Sequence, residues 1–468
     1  MPTATSPATT VTGPRRAPGP RGRPLLGSVL ELRRDLVGFL RQATEEYGDI
    51  VRFNVAGFTV HLVTHPDHLR HVLQVNNRNY DKQSHEYRPL KLAFGEGLFT
   101  SDGDFWRRQR RLMQPAFHRQ RISRLGDGIV ADVVSRVDTW RPYAERGEAL
   151  DIAAEMVNLS MNVATKALFS TGLRDDDEVA TISRDLDTMV NYCLYRTMSP
   201  LAPPLRVPTR RNRAFNRAVG ELDGIIFRIL NERRRHGTEA NDLLSMLMAA
   251  RDEETGEGMP DRQMRDEVAT LLLGGYETTS NLLSWTWYEL SRHPEVEARL
   301  HAEVDRVLGG RLPTVADAAQ LGYARMVLDE TLRLYPVPWL ERRAAKADTV
   351  GGYEVPAGSL VYISPYLTHR HPGFWKDPER FDPERFTPER QDARPRFAYF
   401  PFGGGPRMCI GNGLALLEAQ LTLATIAQRY RLRPVPGHPV EAKMQITTAP
   451  RYGIRMTIEP REEVRYGQ

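Results

Sequence analysis

The sequence predicts a mainly α fold with a small β region. Three observations predict it. Apolar residues follow a helical period over most of residues 65–335. One candidate helix, residues 261–292, runs uninterrupted up to Pro294 and is the longest in the chain. Strand-like alternation is confined to short stretches near residues 49–63 and 350–363.

Taken in order, residues 1–23 are polar and rich in Thr, Ala, Pro, Gly and Arg, and are expected to form a disordered tail. Residues 24–468 are expected to form one domain. The Pro-rich stretch 17–28 reads as a stiff entry into it. Residues 49–63 alternate around Ala56-Gly57, a hairpin pattern. The centre of the long helix, residues 268–273, is apolar apart from Thr270 and is expected to cross the core. Short strands return near 350–363, and a Pro-rich meander follows over 372–401. A final helix, about 412–430, carries Leu414, Leu417, Leu421 and Ala424 on one stripe.

Composition excludes several classes. Of 468 residues, 41% are hydrophobic and 26% charged, enough for a large core and a solvated surface. No run of about 20 apolar residues exists, so no transmembrane anchor is expected, and the N-terminus lacks the apolar segment of a secretory signal. Two cysteines, Cys193 and Cys409, cannot build a disulfide scaffold and suit a reducing, cytoplasmic compartment. Net charge is 64 − 59 = +5, with both signs dispersed, so no nucleic-acid partner is expected. Phosphate-binding, nucleophile-elbow and zinc motifs are absent.

The chemistry concentrates around Cys409, in Phe402-Gly-Gly-Gly-Pro-Arg-Met-Cys-Ile-Gly411. Three glycines remove side chains where a flat group approaches the backbone. The helix starting near Asn412 aims its positive end at the sulfur, which is expected to lower the thiol pKa. Arg407 offers a fixed charge suited to a carboxylate. Together they describe a thiolate metal ligand beside a planar, carboxylate-bearing ring. Cys193, within Asn-Tyr-Cys-Leu-Tyr, reads as a small core residue.

With Phe402, Gly405, Arg407, Cys409 and Gly411 in place, the sequence resembles the cytochrome P450 family of haem-thiolate enzymes over nearly its whole length. The resemblance implies haem b with Cys409 as the iron ligand, pushing electron density onto the metal. It implies that Gly274-Gly-Tyr-Glu-Thr-Thr279 is the oxygen-binding groove, with Thr278 delivering protons and Glu277 relaying them. Thr278 is also placed to turn its hydroxyl onto the carbonyl of Gly274. Trp106 and Arg110, four apart on one helical face, would bind haem propionates. Arg343 would be a third clamp, with Arg342 as the competing alignment, and Arg407 a fourth. Glu330, Arg333 and Arg385 would form a buried ion network that holds the meander and the cysteine loop.

The implied activity is insertion of one oxygen atom from O2 into a hydrophobic small molecule of terpenoid, fatty acyl or polyketide type. Pocket walls are expected near 80–100, 190–212, 271–279, 336–340 and 446–450. Only 59 residues follow Cys409, so no fused reductase is expected. Electrons would come from NAD(P)H through a separate ferredoxin or flavodoxin and its reductase, to a monomer. Arg107, Arg108 and Arg111, with Arg119 and Arg121, would form the basic docking face. The alternatives are a haem-thiolate peroxygenase or isomerase needing no reductase, and a non-catalytic haem-binding sensor.

Overall fold

The alternation at residues 49–63 folds as a hairpin because Ala56 and Gly57 both adopt positive φ, 47° and 89°, the geometry that matches the twist of its strands. In this computed structural model, which describes residues 15–170, 176–199, 202–236 and 242–461, the hairpin opens the main sheet. Strands are numbered β1 to β13 along the chain. The sheet order is β2 (Ile50–Val55), β3 (Phe58–Val63), β9 (Leu360–Ile363), β6 (Leu340–Ala344), β4 (Tyr80–Asp81). Within this sheet only the β3–β9 pairing is parallel.

The expectation of a disordered tail over 1–23 does not hold for residues 15–23. Arg15–Arg16 is a strand, β1, paired with β8 (Tyr353–Val355), which pairs in turn with β7 (Asp348–Val350). Ala17 is buried, and Arg52 donates its backbone N–H to Pro18 O at 2.7 Å. Polar composition misled here because backbone pairing uses no side-chain hydrophobicity. Residues 1–14 of that tail lie outside the described residues.

The remaining strands sit away from the main sheet. β5 (Ala149–Asp151) and β10 (Tyr430–Pro434) flank β13 (Arg455–Pro460), and β11 (Ala442–Met444) with β12 (Thr448–Pro450) forms a small hairpin. Helices make up the bulk. The central helix, Asp261–Arg292, packs along Ile152–Phe169 and keeps Val268, Ala269 and Leu272 fully buried, as its apolar centre requires. Asn412–Arg429 buries Leu421, Leu423, Ala424 and Ile426 without exposure. The meander carries only short turns, among them Pro383–Phe386 and Pro388–Asp392. Cys193 is buried, its thiol donates to Pro89 O at 3.2 Å, and burial pushes its pKa up to about 12.

Candidate active site

Cys409 sits where three chain segments are locked together. Its backbone N–H donates to Phe402 O at 2.9 Å and closes the loop. Gly405 has φ +67°, and a Cβ there would lie 1.9 Å from Leu73 O, so only glycine lets the loop rest on residues 71–75. A Cβ on Gly404 would meet the Phe397 ring at 2.3 Å. Gly411 caps the helix Asn412–Arg429, and its N–H and that of Asn412 point at Sγ.

Cys409 retains exposed surface although its thiol is deeply enclosed, as a residue lining an internal space does. Burial raises the thiol pKa against the opposing pull of the Gly411 N–H, the Arg110 charge and the Asn412 N–H. The expected lowering therefore does not occur in the polypeptide alone. Desolvation outweighs the helix terminus, and a metal cation at the sulfur is what would reverse the balance.

On the central helix, Gly274 and Thr278 are likewise exposed within an otherwise buried segment. No atom outside the helix backbone lies within 4 Å of a Cβ built on Gly274, whereas one on Gly275 would approach Ala164 at 3.1 Å. The Thr278 hydroxyl donates to Gly274 O at 2.8 Å, which occupies that carbonyl and leaves the hydroxyl oxygen facing the opening. Glu277 is not beside it. Its Oε1 accepts from the Thr447 hydroxyl at 2.6 Å, on the turn between β11 and β12. Burial raises the Glu277 pKa.

A buried basic cluster lies at the other edge. Arg407 stacks 4.2 Å from the Trp106 ring and pairs with Asp102. Lys82 is fully enclosed, and burial, with the charges of Arg342 and Arg407, holds its pKa well below the usual range. Its ammonium donates to Phe99 O at 2.6 Å. Arg342 is buried and donates to Tyr87 Oη at 3.3 Å and Glu341 O at 2.7 Å. Arg343 pairs with Asp81 through Nε (3.0 Å) and Nη2 (2.6 Å) and also feels the charge of Asp102, the partner of Arg407. Strand alternation along β6 puts the two arginines on opposite faces: Arg342 acts on Lys82 and Arg407 directly, and Arg343 reaches the same edge through Asp81 and Asp102. Arg110 reaches the loop itself, donating to Met408 O at 2.9 Å and Gln114 Oε1 at 2.8 Å.

Buried like charges are costly unless an anion is shared among them. Asp102 pairs with Arg407 and acts on Lys82, Asp81 also acts on Arg407, and Glu86 faces Arg342. This cluster of cationic side chains, the glycine cradle and the inward-facing thiol together fit a flat dicarboxylate ring with a metal at its centre.

The sequence model of the family described as "Cytochrome P450" matches residues 17–456. The chain belongs to the cytochrome P450 family. It is 40% identical over 465 residues to cyclooctatin synthase of Streptomyces melanosporofaciens, covering 98% of this chain and 99% of that protein. It is 40% identical to cyclooctat-9-en-7-ol 5-monooxygenase of the same organism, with 89% and 90% covered. It is 32% identical to pentalenene oxygenase of Streptomyces avermitilis, with 90% and 92% covered. The crystal structure of the cytochrome P450DA heme domain superposes with a TM-score of 0.87 at 28% identity, covering 96% of this chain and 98% of that one. This P450 is accordingly a haem-dependent oxidoreductase of the monooxygenase type. Among the described residues, no helix is long and apolar enough to cross a membrane.

The supporting ion network of this P450 is formed. Glu330 and Arg333 are joined with no exposure, Arg385 approaches Glu330 Oε1 at 3.4 Å, and Asp382 N–H donates to the same oxygen at 2.8 Å. The expected docking face is partly consumed. Arg111 pairs with Asp252 at 2.7 Å and Glu254 at 3.1 Å, and Arg108 lies 3.7 Å from Asp252 and 3.5 Å from Glu257. Arg107 pairs with Asp104. The acidic turn after residue 251 lies far along the chain from these arginines, 141 residues between Arg111 and Asp252, so local pattern does not pair them. Arg119 and Arg121 remain exposed beside the cysteine helix.

Sequence reasoning missed Lys82, Asp102 and Thr447. Asp102 had a signal, since Asp-Gly ahead of a helical run is a capping pattern, and its side chain accepts from Gly103 N–H. Lys82 and Thr447 had none, because their partners lie far along the chain.

Proposed function

We propose that this P450 oxygenates a polycyclic terpenoid, with Cys409 as the haem-iron ligand and electrons drawn from NAD(P)H through a separate ferredoxin or flavodoxin and its reductase. The observation that carries the reading is the inward-facing Cys409 thiol, set in the glycine cradle with the Gly411 and Asn412 N–H groups behind it. Two relatives are named for cyclooctat-9-en-7-ol and pentalenene, which supports the terpenoid class.

Bound haem supplies the oxygen activation and electron storage that no side chain offers. The chain's own residues do the rest. Lys82, Arg342 and Arg407 hold the two propionates, Trp106 stacks beneath Arg407, and Arg110 fixes the Met408 carbonyl next to the ligand. Of the two alignments we take Arg342 as the third clamp, with Arg343 beside it on Asp81. Thr278 Oγ1 holds a proton at the groove opened by Gly274, and Glu277 supplies it. Phe99, Leu271, Leu340 and Ile446, each half-buried, give the guest an apolar wall that excludes water.

The test is product analysis with a terpenoid panel, run with a ferredoxin system, with peroxide alone and with neither. Reductant-dependent oxygenated product is expected. Product with peroxide alone favours the peroxygenase, and none in any arm favours the sensor. A ferrous carbonyl adduct without the red shift of thiolate ligation, or full turnover by Cys409→Ala, would overturn the assignment of the ligand.

A further inference from the structure

Glu277 and Thr278 are adjacent on the central helix, so their side chains leave it about 100° apart. Thr278 donates to Gly274 O, whereas Glu277 is held from the far side by Thr447. Thr447 is itself oriented. Asn281, one turn along the same helix, donates through Nδ2 to Thr447 Oγ1 at 3.0 Å. With that oxygen accepting from Asn281, the single hydroxyl proton of Thr447 is directed to Glu277 Oε1.

The turn carrying Thr447 is anchored on both sides. Trp285 Nε1 donates to Thr448 O at 2.8 Å, and the Thr448 hydroxyl donates to Pro336 O at 2.6 Å. Ile446, immediately before Thr447, packs on the core cluster that includes Leu272 and Leu273. One short turn therefore touches both the apolar wall and the acid.

We propose that Thr447 is a positioning residue, which parks the Glu277 carboxyl on the hairpin side of the central helix and releases it towards Thr278 when the turn shifts. The proposal rests on the reading of Glu277 as the proton source. The release breaks one hydrogen bond and no covalent bond. As Glu277 gives a proton to Thr278 Oγ1, the hydroxyl passes its own proton into the groove, and Glu277 is reprotonated from solvent. A guest that presses on Ile446 moves the same turn, so filling the pocket and freeing the acid become one event. Other groups facing Glu277 act in both directions. Asp187 raises its pKa by like charge and accepts the Tyr276 hydroxyl at 2.8 Å, while Lys443 on β11 lowers it.

The experiment uses the haem-loaded protein and its Thr447→Val and Thr447→Ser variants. Infrared difference spectra follow the protonated carboxyl band of Glu277, assigned by its disappearance in Glu277→Gln. Thr447→Val removes a donor to the carboxylate, so its titration midpoint is expected to rise by about one pH unit. The fraction of reducing equivalents recovered in product is expected to fall with it, and Thr447→Ser is expected to restore both. A midpoint unchanged in Thr447→Val, with only KM altered, overturns the proposal and leaves Thr447 as pocket wall. Wild-type turnover and an unchanged pH profile in Glu277→Gln would instead overturn the relay reading, while the infrared result still reports whether Thr447 holds the acid.

Discussion

Arg333 binds Glu330 through two hydrogen bonds, Nε to Oε2 at 2.6 Å and Nη2 to Oε1 at 2.8 Å, and neither side chain has exposed surface. The remaining donors of Arg333 reach His369 O, Pro378 O and Arg380 O, so one guanidinium ties a helix to the meander. Glu330→Gln leaves that cation buried without its counter-charge. The expected cost is about 3–5 kcal/mol, read from denaturant unfolding. Stability within 1 kcal/mol of the parent, on the same order as an exposed ion pair, would contradict this account.

Gly405 supports the cysteine loop through backbone geometry alone. Gly405→Ala drives a methyl into Leu73 O at a positive φ and is expected to weaken haem retention and broaden the thiolate signature. Gly437, at φ +79° with nothing within 4 Å, serves as control. Gly437→Ala is expected to cost only local strain, about 1 kcal/mol, with the absorption spectrum intact. Equal behaviour of the two variants would count against the contact with Leu73.

Among the basic residues, Lys82→Met and Arg342→Gln should each weaken haem binding roughly ten- to a hundredfold, the worth of a charge-assisted hydrogen bond. Arg343→Gln should leave haem transfer to apomyoglobin at the parental rate, because Arg343 serves Asp81. The reverse ranking would restore Arg343 as the clamp.

Electron delivery should depend on Arg119 and Arg121. Arg119→Glu with Arg121→Glu is expected to raise the KM for an acidic ferredoxin about tenfold at low salt, with the difference fading as salt rises. Arg111→Ala should act on the turn after residue 251 instead. The hydrogen bond from Arg111 holds the Asp252 pKa down to about 2, below its ordinary 3.8. A depressed acid lends stability that is present above its unfolded pKa and lost as pH falls through the folded one. Amides of residues 252–257 should therefore be protected from exchange at pH 5–7 and released between about pH 4 and 2. In Arg111→Ala the release should begin at higher pH.

The local patterns were legible. The long helix, the hairpin around Ala56-Gly57, the terminal helix and the meander follow from period, turn chemistry and proline, all of which act over a few residues. Cys409 and its glycines were legible because one loop carries the whole cradle. What the chain hides is pairing across distance. Arg342 and Arg343 are equivalent in composition, and only the register of β6 against β4 and β9 turns one inward. Glu277 beside Thr278 reads as a pair, yet the helix separates them and a turn 170 residues later claims the acid. Arg108 and Arg111 read as a free basic face until the acidic turn folds over it.

The strand at Arg15–Arg16 waits for Tyr353 and Glu354, β3 waits for Leu360–Ile363, and Ala149–Asp151 waits for Arg455–Thr457. A nascent chain leaving the ribosome can thus wind its helices early but cannot close any of these sheets until most of it has been translated. Such late closure makes maturation slow and leaves strand edges open to misassembly in the interval. Because β13 lies between β10 and β5, a ribosome that stalls before residue 455 yields a product with two orphaned strands, a substrate for chaperones and proteases even though its cysteine loop is already complete.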